Sequence, residues 1–407
     1  MGPFSPALRG ARIANSFAFG LQGFFFAVVL TELPQQKDRF DLSDGLIAGS
    51  VVLVSILAGV GSVVAEQLAT RWSSRATVRM GLLGITMTGC AVAMAPNMPV
   101  LLSTLGLYGI AVGMVDASTN MQAVFIQRGY GTVILSSFYA AWSGGAIVGA
   151  LFVSTCEALD VTLRESLLTA AGVVLVIGLV SGPRLLGPRE AETSAAEVQD
   201  GSAVSGGVAL RLYLAFGIAA SLVFAIDLAV SNWSAIYLEE DLLASSSTAA
   251  LALAAYQGAS LIARFTGDMW VRRFGPRQVV RIAGAIGAVG LAVAVVSPGA
   301  VPVIIGFLVA GFGTGVVAPL CFSEAGQLAS GRELDALIAR LNLFNYAGTL
   351  IGGGLVGAVA AGFGHRIGFV IPLVFMAIVI MLARVFHSRS EAHTAPESSD
   401  GHAVLDT

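Results

Sequence analysis

Charge is scarce in this chain: Asp, Glu, Lys and Arg make up 12% of its 407 residues, where a soluble domain carries about a quarter. With 56% apolar residues and a mean hydropathy of +0.83, that shortage excludes an ordinary water-soluble protein. Lysine is nearly absent, since Lys37 is the one lysine among 22 basic residues. No basic tail is present, so a nucleic-acid partner is not expected. The three cysteines (Cys90, Cys156, Cys321) sit in or beside apolar runs without metal-ligand spacing and read as small core residues. All four histidines lie from His365 onward, near loops or in the tail, which leaves no His/Glu metal cluster. Nor is there a Gly-x-Ser-x-Gly elbow, an intramembrane Asp pair or a Gly-Lys-Ser phosphate loop, and an enzyme, a cofactor or a metal is not expected.

What the chain has instead is long apolar runs. A crossing of about 30 Å of hydrocarbon takes roughly 20 residues in a helix. Runs bounded by charge or by Pro and Gly place helices near 12–33, 43–68, 77–95, 99–126, 133–157 and 165–186, then near 209–237, 246–270, 278–297, 300–324, 334–361 and 365–387. The first run ends in Glu32 and Pro34 without a small-x-small site and is kept as a helix of the mature protein. The arginines fall overwhelmingly in one set of loops. The other set holds only Lys37, Arg39, Arg164 and Arg366, while Arg264 lies inside a helix. Basic residues in short loops mark the cytoplasmic side, so both termini are expected on the cytoplasmic face of the membrane. The expected organisation is an N-terminal six-helix bundle (1–187), a flexible cytoplasmic linker (188–207), a C-terminal six-helix bundle (208–388) and a disordered cytoplasmic tail (389–407).

The two halves repeat each other. Shifting the sequence by 202 residues lays TRWSSRATVR (70–79) on RRFGPRQVVR (272–281), Glu66 on Asp268, Gly109 on Gly311 and Gly113 on Gly315. One offset serving separate segments points to a parallel duplication, with a substrate site between the halves near the bilayer midplane. An acid ending the second helix followed by an arginine-rich loop, repeated after the eighth, resembles the signature loop of the major facilitator superfamily. The second copy, GDMWVRRFGPR (267–277), is close to that pattern, and the first, AEQLATRWSSR (65–75), has lost its glycines and carries Glu66 for the usual Asp. Within the superfamily, DASTNMQA (116–123), SFYAAWSGGAIVGA (137–150), DLAVSNWSAIYL (227–238), ARFTGD (263–268) and PLCFSEAGQ (319–327) resemble the fucose-permease-like group of bacterial inner membrane transporters. The resemblance implies an all-α fold of twelve transmembrane helices in two pseudo-symmetric bundles, working as a monomer. Against the group's pattern, Asp227 stands for a Glu, Asn232 for an Asp, Tyr139 for a His and Ala263 for a Gly, which leaves Asp116 and Asp227 as the acids at membrane depth.

Polar residues at that depth are costly and mark functional candidates. Asp116 and Asn120 share one face of the fourth helix, extended by Gly109 and Gly113. Asn342, Asn345 and Tyr346 share a face of the eleventh, Tyr139, Trp142 and Ser143 of the fifth, and Asn15 and Gln22 of the first. The seventh offers Asp227, Asn232 and Trp233, with Tyr237 nearer an interfacial aromatic belt, and Tyr256 and Gln257 on the eighth are weaker candidates. Each amide read singly is an interhelical hydrogen bond. Together these faces suggest a wet cavity whose substrate-binding residues are Gln22, Asn120, Tyr139, Trp142, Asn232, Trp233, Asn342, Asn345 and Tyr346. Asp116, in a helix face without a neighbouring cation, is the expected proton-coupling residue, with Asp227 second, or else a structural hydrogen-bond hub. Glu66 and Asp268, among Arg71, Arg273 and Arg277, are expected to gate the inner face, with Arg128 or Arg340 as partners. The expected function is alternating-access secondary transport of a small molecule with protons. The alternatives are a transport-inactive sensor or receptor on the same fold, and a drug efflux pump rather than a nutrient permease.

Overall fold

The computed structural model describes residues 5–187 and 206–387, so the linker and tail proper lie outside the described residues. Every regular element among the described residues is helical. The first half comprises α1 (Pro6–Thr31), α2 (Leu33–Phe40), α3 (Asp44–Arg71), α4 (Ser74–Ala93), α5 (Met98–Tyr130), α6 (Leu135–Ala158) and α7 (Leu163–Ser181). The second comprises α8 (Gly206–Ile236), α9 (Ser246–Phe274), α10 (Pro276–Val296), α11 (Ala300–Thr314), α12 (Val317–Ala325), α13 (Gly331–Phe363), α14 (His365–Gly368) and α15 (Val370–Leu382). Two expected single helices are broken in the second half, and each break sits one turn before a proline. Pro319 and Pro372 have no N–H for the carbonyls of Gly315 and Gly368, and the helix parts at those points, between α11 and α12 and between α14 and α15.

With α2 continuing α1 in one span (Pro6–Phe40) and each broken pair of the second half counted as one crossing, the described residues form twelve crossing helices in two six-helix bundles. Among the described residues, eleven spans are long and apolar enough to cross a membrane on length and composition alone. The twelfth, α9, has 29 residues. Its apolar character is diluted by Gln257, Arg264, Asp268, Arg272 and Arg273. That polarity is what brings α9 to the interface: the halves meet chiefly where α3 lies against α13 and α6 against α9.

The duplication is visible as geometry. A Cβ placed on Gly109 or Gly113 would come within 3.0 Å of the Val54 or Ala58 carbonyl of α3. In the second half, a Cβ on Gly311 or Gly315 would meet the Tyr256 or Ser260 carbonyl of α9 in the same way. All four pairs are related by the 202-residue shift, so the repeat conserves backbone contacts between helices as well as letters. Small residues are what permit such approach in a membrane, where packing replaces the hydrophobic drive. The closing helix of each half is clamped equivalently too. Gln122 accepts from Leu186 N (3.0 Å) and donates to its carbonyl (3.1 Å), and Glu324, 202 residues on, accepts from His387 N (3.0 Å).

Gly113→Ala is expected to destabilise the folded protein by about 1–3 kcal/mol, the usual cost of an overpacked methyl group. Gly144→Ala, where a Cβ meets nothing within 4 Å, is expected to leave the melting temperature unchanged or slightly raised. Thermal melting in one detergent checks the pair; equal melting of the two variants would refute the contact.

Candidate functional site

The carboxylate of Asp116, midway along α5, is where the halves are tied at membrane depth. Its Oδ2 accepts from Asn342 Nδ2 (3.0 Å), Asn345 Nδ2 (3.3 Å) and the Tyr346 hydroxyl (2.9 Å), all on α13 of the other half. Spacing of three and four residues puts those three donors on one helical face, which is why one acid can take all of them. Gln22 of α1 adds another side-chain hydrogen bond. Asn342 also donates to Ser62 Oγ of α3 (3.1 Å). Asn120, one turn beyond Asp116, donates to the Asp116 carbonyl (2.9 Å) and accepts from the Tyr139 hydroxyl (3.1 Å). The structure therefore joins Gln22, Asp116, Asn120, Tyr139, Asn342, Asn345 and Tyr346 into one network drawn from four helices. Asn15, on the Gln22 face, is occupied by the Thr119 carbonyl (3.1 Å).

A second polar centre lies beside it in the other half. Asp227 of α8 has Tyr256 of α9 as its hydrogen-bonding neighbour and Arg264 of α9 within electrostatic reach. The Tyr256 hydroxyl also pairs with Thr314 Oγ1 (2.9 Å). Arg264 donates from Nη1 to Ser143 Oγ of α6 (2.5 Å), crossing between the halves, and its charge is felt at Tyr139 together with that of Asp116. Asp227 Oδ1 and Arg264 Nε are buried without a hydrogen-bond partner among the described residues. Arg264 carries no role in the sequence reading, although it was the one basic residue outside the loops. Asp116, Trp142, Asp227, Arg264, Asn345 and Tyr346 all keep partial exposure despite lying well inside their helices.

Trp233 and Asn232 stand apart from both centres. Trp233 donates from Nε1 to the Gly353 carbonyl of α13 (3.2 Å), and its ring lies 5.8 Å from that of His365, so its indole serves the α8–α13 contact. Asn232 is exposed and faces Gly353. Tyr237 is not in an interfacial belt: it is fully buried and donates to the Ala294 carbonyl (3.0 Å). Trp142 packs its ring against Phe26 (5.9 Å), and Gln257 donates to Ser231 Oγ (3.1 Å).

The contacts on the arginine-rich side are unequal between the halves. Asp268 accepts from the backbone N–H groups of Ser136 (2.9 Å) and Ser137 (3.1 Å), at the N-terminus of α6, where free N–H groups and the helix dipole favour an anion. Glu66, its repeat partner, takes the Arg340 side chain instead, with Nη2 to Oε1 at 2.6 Å. The reason lies in where α13 begins. Starting at Gly331, it has already run more than two turns by Arg340, so no free N–H is available there, and a longer acid reaches a side chain. Arg128 donates to the Gly326 and Ala329 carbonyls across the interface, rather than to either acid, and Gln127 donates to Ser323 Oγ (2.7 Å). Arg277 holds the Phe386 carbonyl (2.7 Å) within its own half, Arg273 lies over the Phe274 ring, and Arg71 is exposed in the last turn of α3. Among the described residues no group of three His, Cys, Asp or Glu could hold a metal ion.

Residues 215–406 match the family model of the Major Facilitator Superfamily. An uncharacterized MFS-type transporter of Yersinia pestis is 26% identical over 361 residues, covering 86% of this chain and 88% of that protein. Among solved structures, the transporter FucP in the outward conformation superposes with a TM-score of 0.71 at 19% identity, covering 91% of this chain and 97% of that one. A second FucP structure, from E. coli and described as a fucose:proton symporter, gives 0.73 at 17% identity over 93% and 99%. In both FucP comparisons the likeness runs through both halves.

The Asp268 contact, two charge-assisted bonds in a buried setting, is expected to outweigh the exposed Glu66–Arg340 pair, which belongs to a class worth about 0–1 kcal/mol. A cysteine at Ser323, buried between the halves, reports on this. Asp268→Asn is expected to raise its labelling by a hydrophilic maleimide by about tenfold, from the ~1.4 kcal/mol per decade rule. Glu66→Gln is expected to raise it less, with the difference vanishing in 1 M salt, where screening falls to about 3 Å. A larger effect of Glu66→Gln would reverse the ranking.

Proposed function

We propose, from the match of residues 215–406 to the Major Facilitator Superfamily model and the likeness of fold to FucP, that the protein moves a small polar molecule across the membrane by alternating access, coupled to protons through Asp116. The observation that carries this reading is the placement of one carboxylate of the first half under three donors of the second. Ionised, Asp116 is the acceptor that those donors need. Protonated, it becomes a donor itself, the three contacts weaken together, and α13 is released from α5. A proton thereby changes the free energy of the interface that must part when the halves rock, which is what coupling requires. FucP is a fucose:proton symporter, and the same class of cycle suits the arrangement here.

Substrate would sit between the two polar centres. Asn120, Tyr139 and Trp142 would face it from the first half, and Asn345, Tyr346, Asp227 and Arg264 from the second. Asp227 is the second coupling candidate. Glu66, Asp268, Arg128 and Arg340 would hold the inner side closed in the state described. The arginine-rich loops favour a cytoplasmic placement of that side, with both termini inside, the polar segments 188–207 and 389–407 facing the cytoplasm, and the protein acting as a monomer.

Proteoliposomes test the coupling. Asp116→Asn, which keeps the shape and a hydrogen-bonding carbonyl, is expected to abolish accumulation of substrate against its gradient when a pH gradient is imposed, while exchange of labelled for unlabelled substrate persists. Accumulation by the variant at the wild-type level would assign Asp116 a purely structural role. Absence of exchange as well as accumulation in the wild-type protein, for every sugar, organic acid and amphipathic drug tried, would favour the sensor reading.

A further inference from the structure

The repeat that makes the halves alike also exposes where they differ, and one difference leaves a groove. Between α4 and α7, on the outer surface of the first half, a groove of about 300 Å³ is walled by Met80, Leu83, Leu175, Leu179 and the bare backbone of Gly178, with Arg79 at its arginine-rich end. The equivalent place in the second half is filled. A 202-residue shift takes Gly178 to Ile380 and Leu82 to Gly284, and Ile380 Cγ1 occupies the space where a Cβ on Gly284 would lie, at 2.7 Å. In the first half the exchange runs the other way. Leu82 is the large partner, and it only borders the missing side chain of Gly178, at 3.4 Å from its would-be Cβ. The single polar side-chain group in the walls besides Arg79 is the Thr86 hydroxyl, which is bonded inward to the Leu82 carbonyl (3.0 Å).

Arg79 gives the groove a head end. Its side chain is exposed, its stem runs along Gly182 of the short turn after α7, and it has no acidic partner among the described residues. An arginine at the edge of the apolar band, opening onto a vacant apolar channel that runs into the band, matches one kind of molecule: an anion carrying a hydrocarbon chain. We propose that this groove is a specific site for an anionic glycerophospholipid, with one acyl chain between α4 and α7 and the phosphate on Arg79. The apolar walls disfavour a polar ligand along the groove itself. The site is independent of the transport reading, because it needs only that the protein spans a bilayer.

The full-length protein in detergent, given dioleoyl phosphatidylglycerol or dioleoyl phosphatidylcholine, tests the proposal by native mass spectrometry and thermal melting. Wild type is expected to retain the anionic lipid about fivefold more than the zwitterionic one, the factor that one basic residue near an anionic surface supplies. Arg79→Gln is expected to bring the two lipids level, Arg79→Lys to keep the preference, and Gly178→Ile, which imitates the second half, to lower retention of both. Arg281→Gln, at the repeat-equivalent position beside the filled groove, is expected to change nothing. Equal retention of the two lipids by wild type, the same loss in Arg281→Gln as in Arg79→Gln, or stabilisation by inorganic phosphate alone would each overturn it.

Discussion

A carboxylate placed in hydrocarbon has few acceptable surroundings, and Asp116 finds most of its own on the opposite half of the molecule. Three donors from one face of α13 converge on a single oxygen, so the position of α13 relative to α5 is set by where that oxygen lies. Other features fall in around this tie. Gly109 and Gly113 let α5 lie close against α3, which carries Ser62 to the same amide, Asn342, that serves Asp116. Tyr139 reaches the network through Asn120, and Ser143, one turn further along α6, takes Arg264. The first polar centre is thus linked to the second through a single helix, α6, that both of them touch.

The contacts on the arginine-rich side show how the two copies of a duplicated architecture diverge. Asp268 uses a helix N-terminus, where several N–H groups wait without partners, and a short acid suffices. The other copy faces a helix that has already started, and the replacement of the usual Asp by Glu66 together with Arg340 is the physical answer to that lost N-terminus. What looks in the sequence like erosion of the first loop is therefore a change in the kind of partner. The clamps at the ends of the halves diverge in a similar way, with the neutral amide of Gln122 in one and the carboxylate of Glu324, paired with His387 Nδ1 at 2.6 Å, in the other.

Much of this was legible before any coordinates. Apolar runs gave the crossings, the 202-residue offset gave the repeat, and the cost of burying polar groups singled out Asp116, Asn120, Asn342, Asn345 and Tyr346. The sequence does not carry which of those faces turn toward each other, since helical spacing fixes a face but not its direction. For that reason Asn232 and Trp233 read as equal to the others, although they meet α13 elsewhere, and Tyr237 read as interfacial although it is buried. Arg264 was visible as an odd arginine. Its meaning depends on Asp227 and Ser143, 37 and 121 residues away in the chain, and pairings at that distance leave no local signal. The breaks at Pro319 and Pro372 were signalled by the prolines themselves but were hidden in runs long enough to be taken as single helices.

The central claim is that the protonation of Asp116 sets how the two halves sit. Spin labels at Leu159 and Leu243, both well exposed at the ends of their helices on the side opposite the arginines, report the separation of the halves there. Measured by double electron–electron resonance, the distance distribution in wild type is expected to shift between neutral and acidic pH, and Asp116→Asn is expected to hold one distribution at both. A variant that still shifts with pH as wild type does would contradict the claim and place the proton elsewhere.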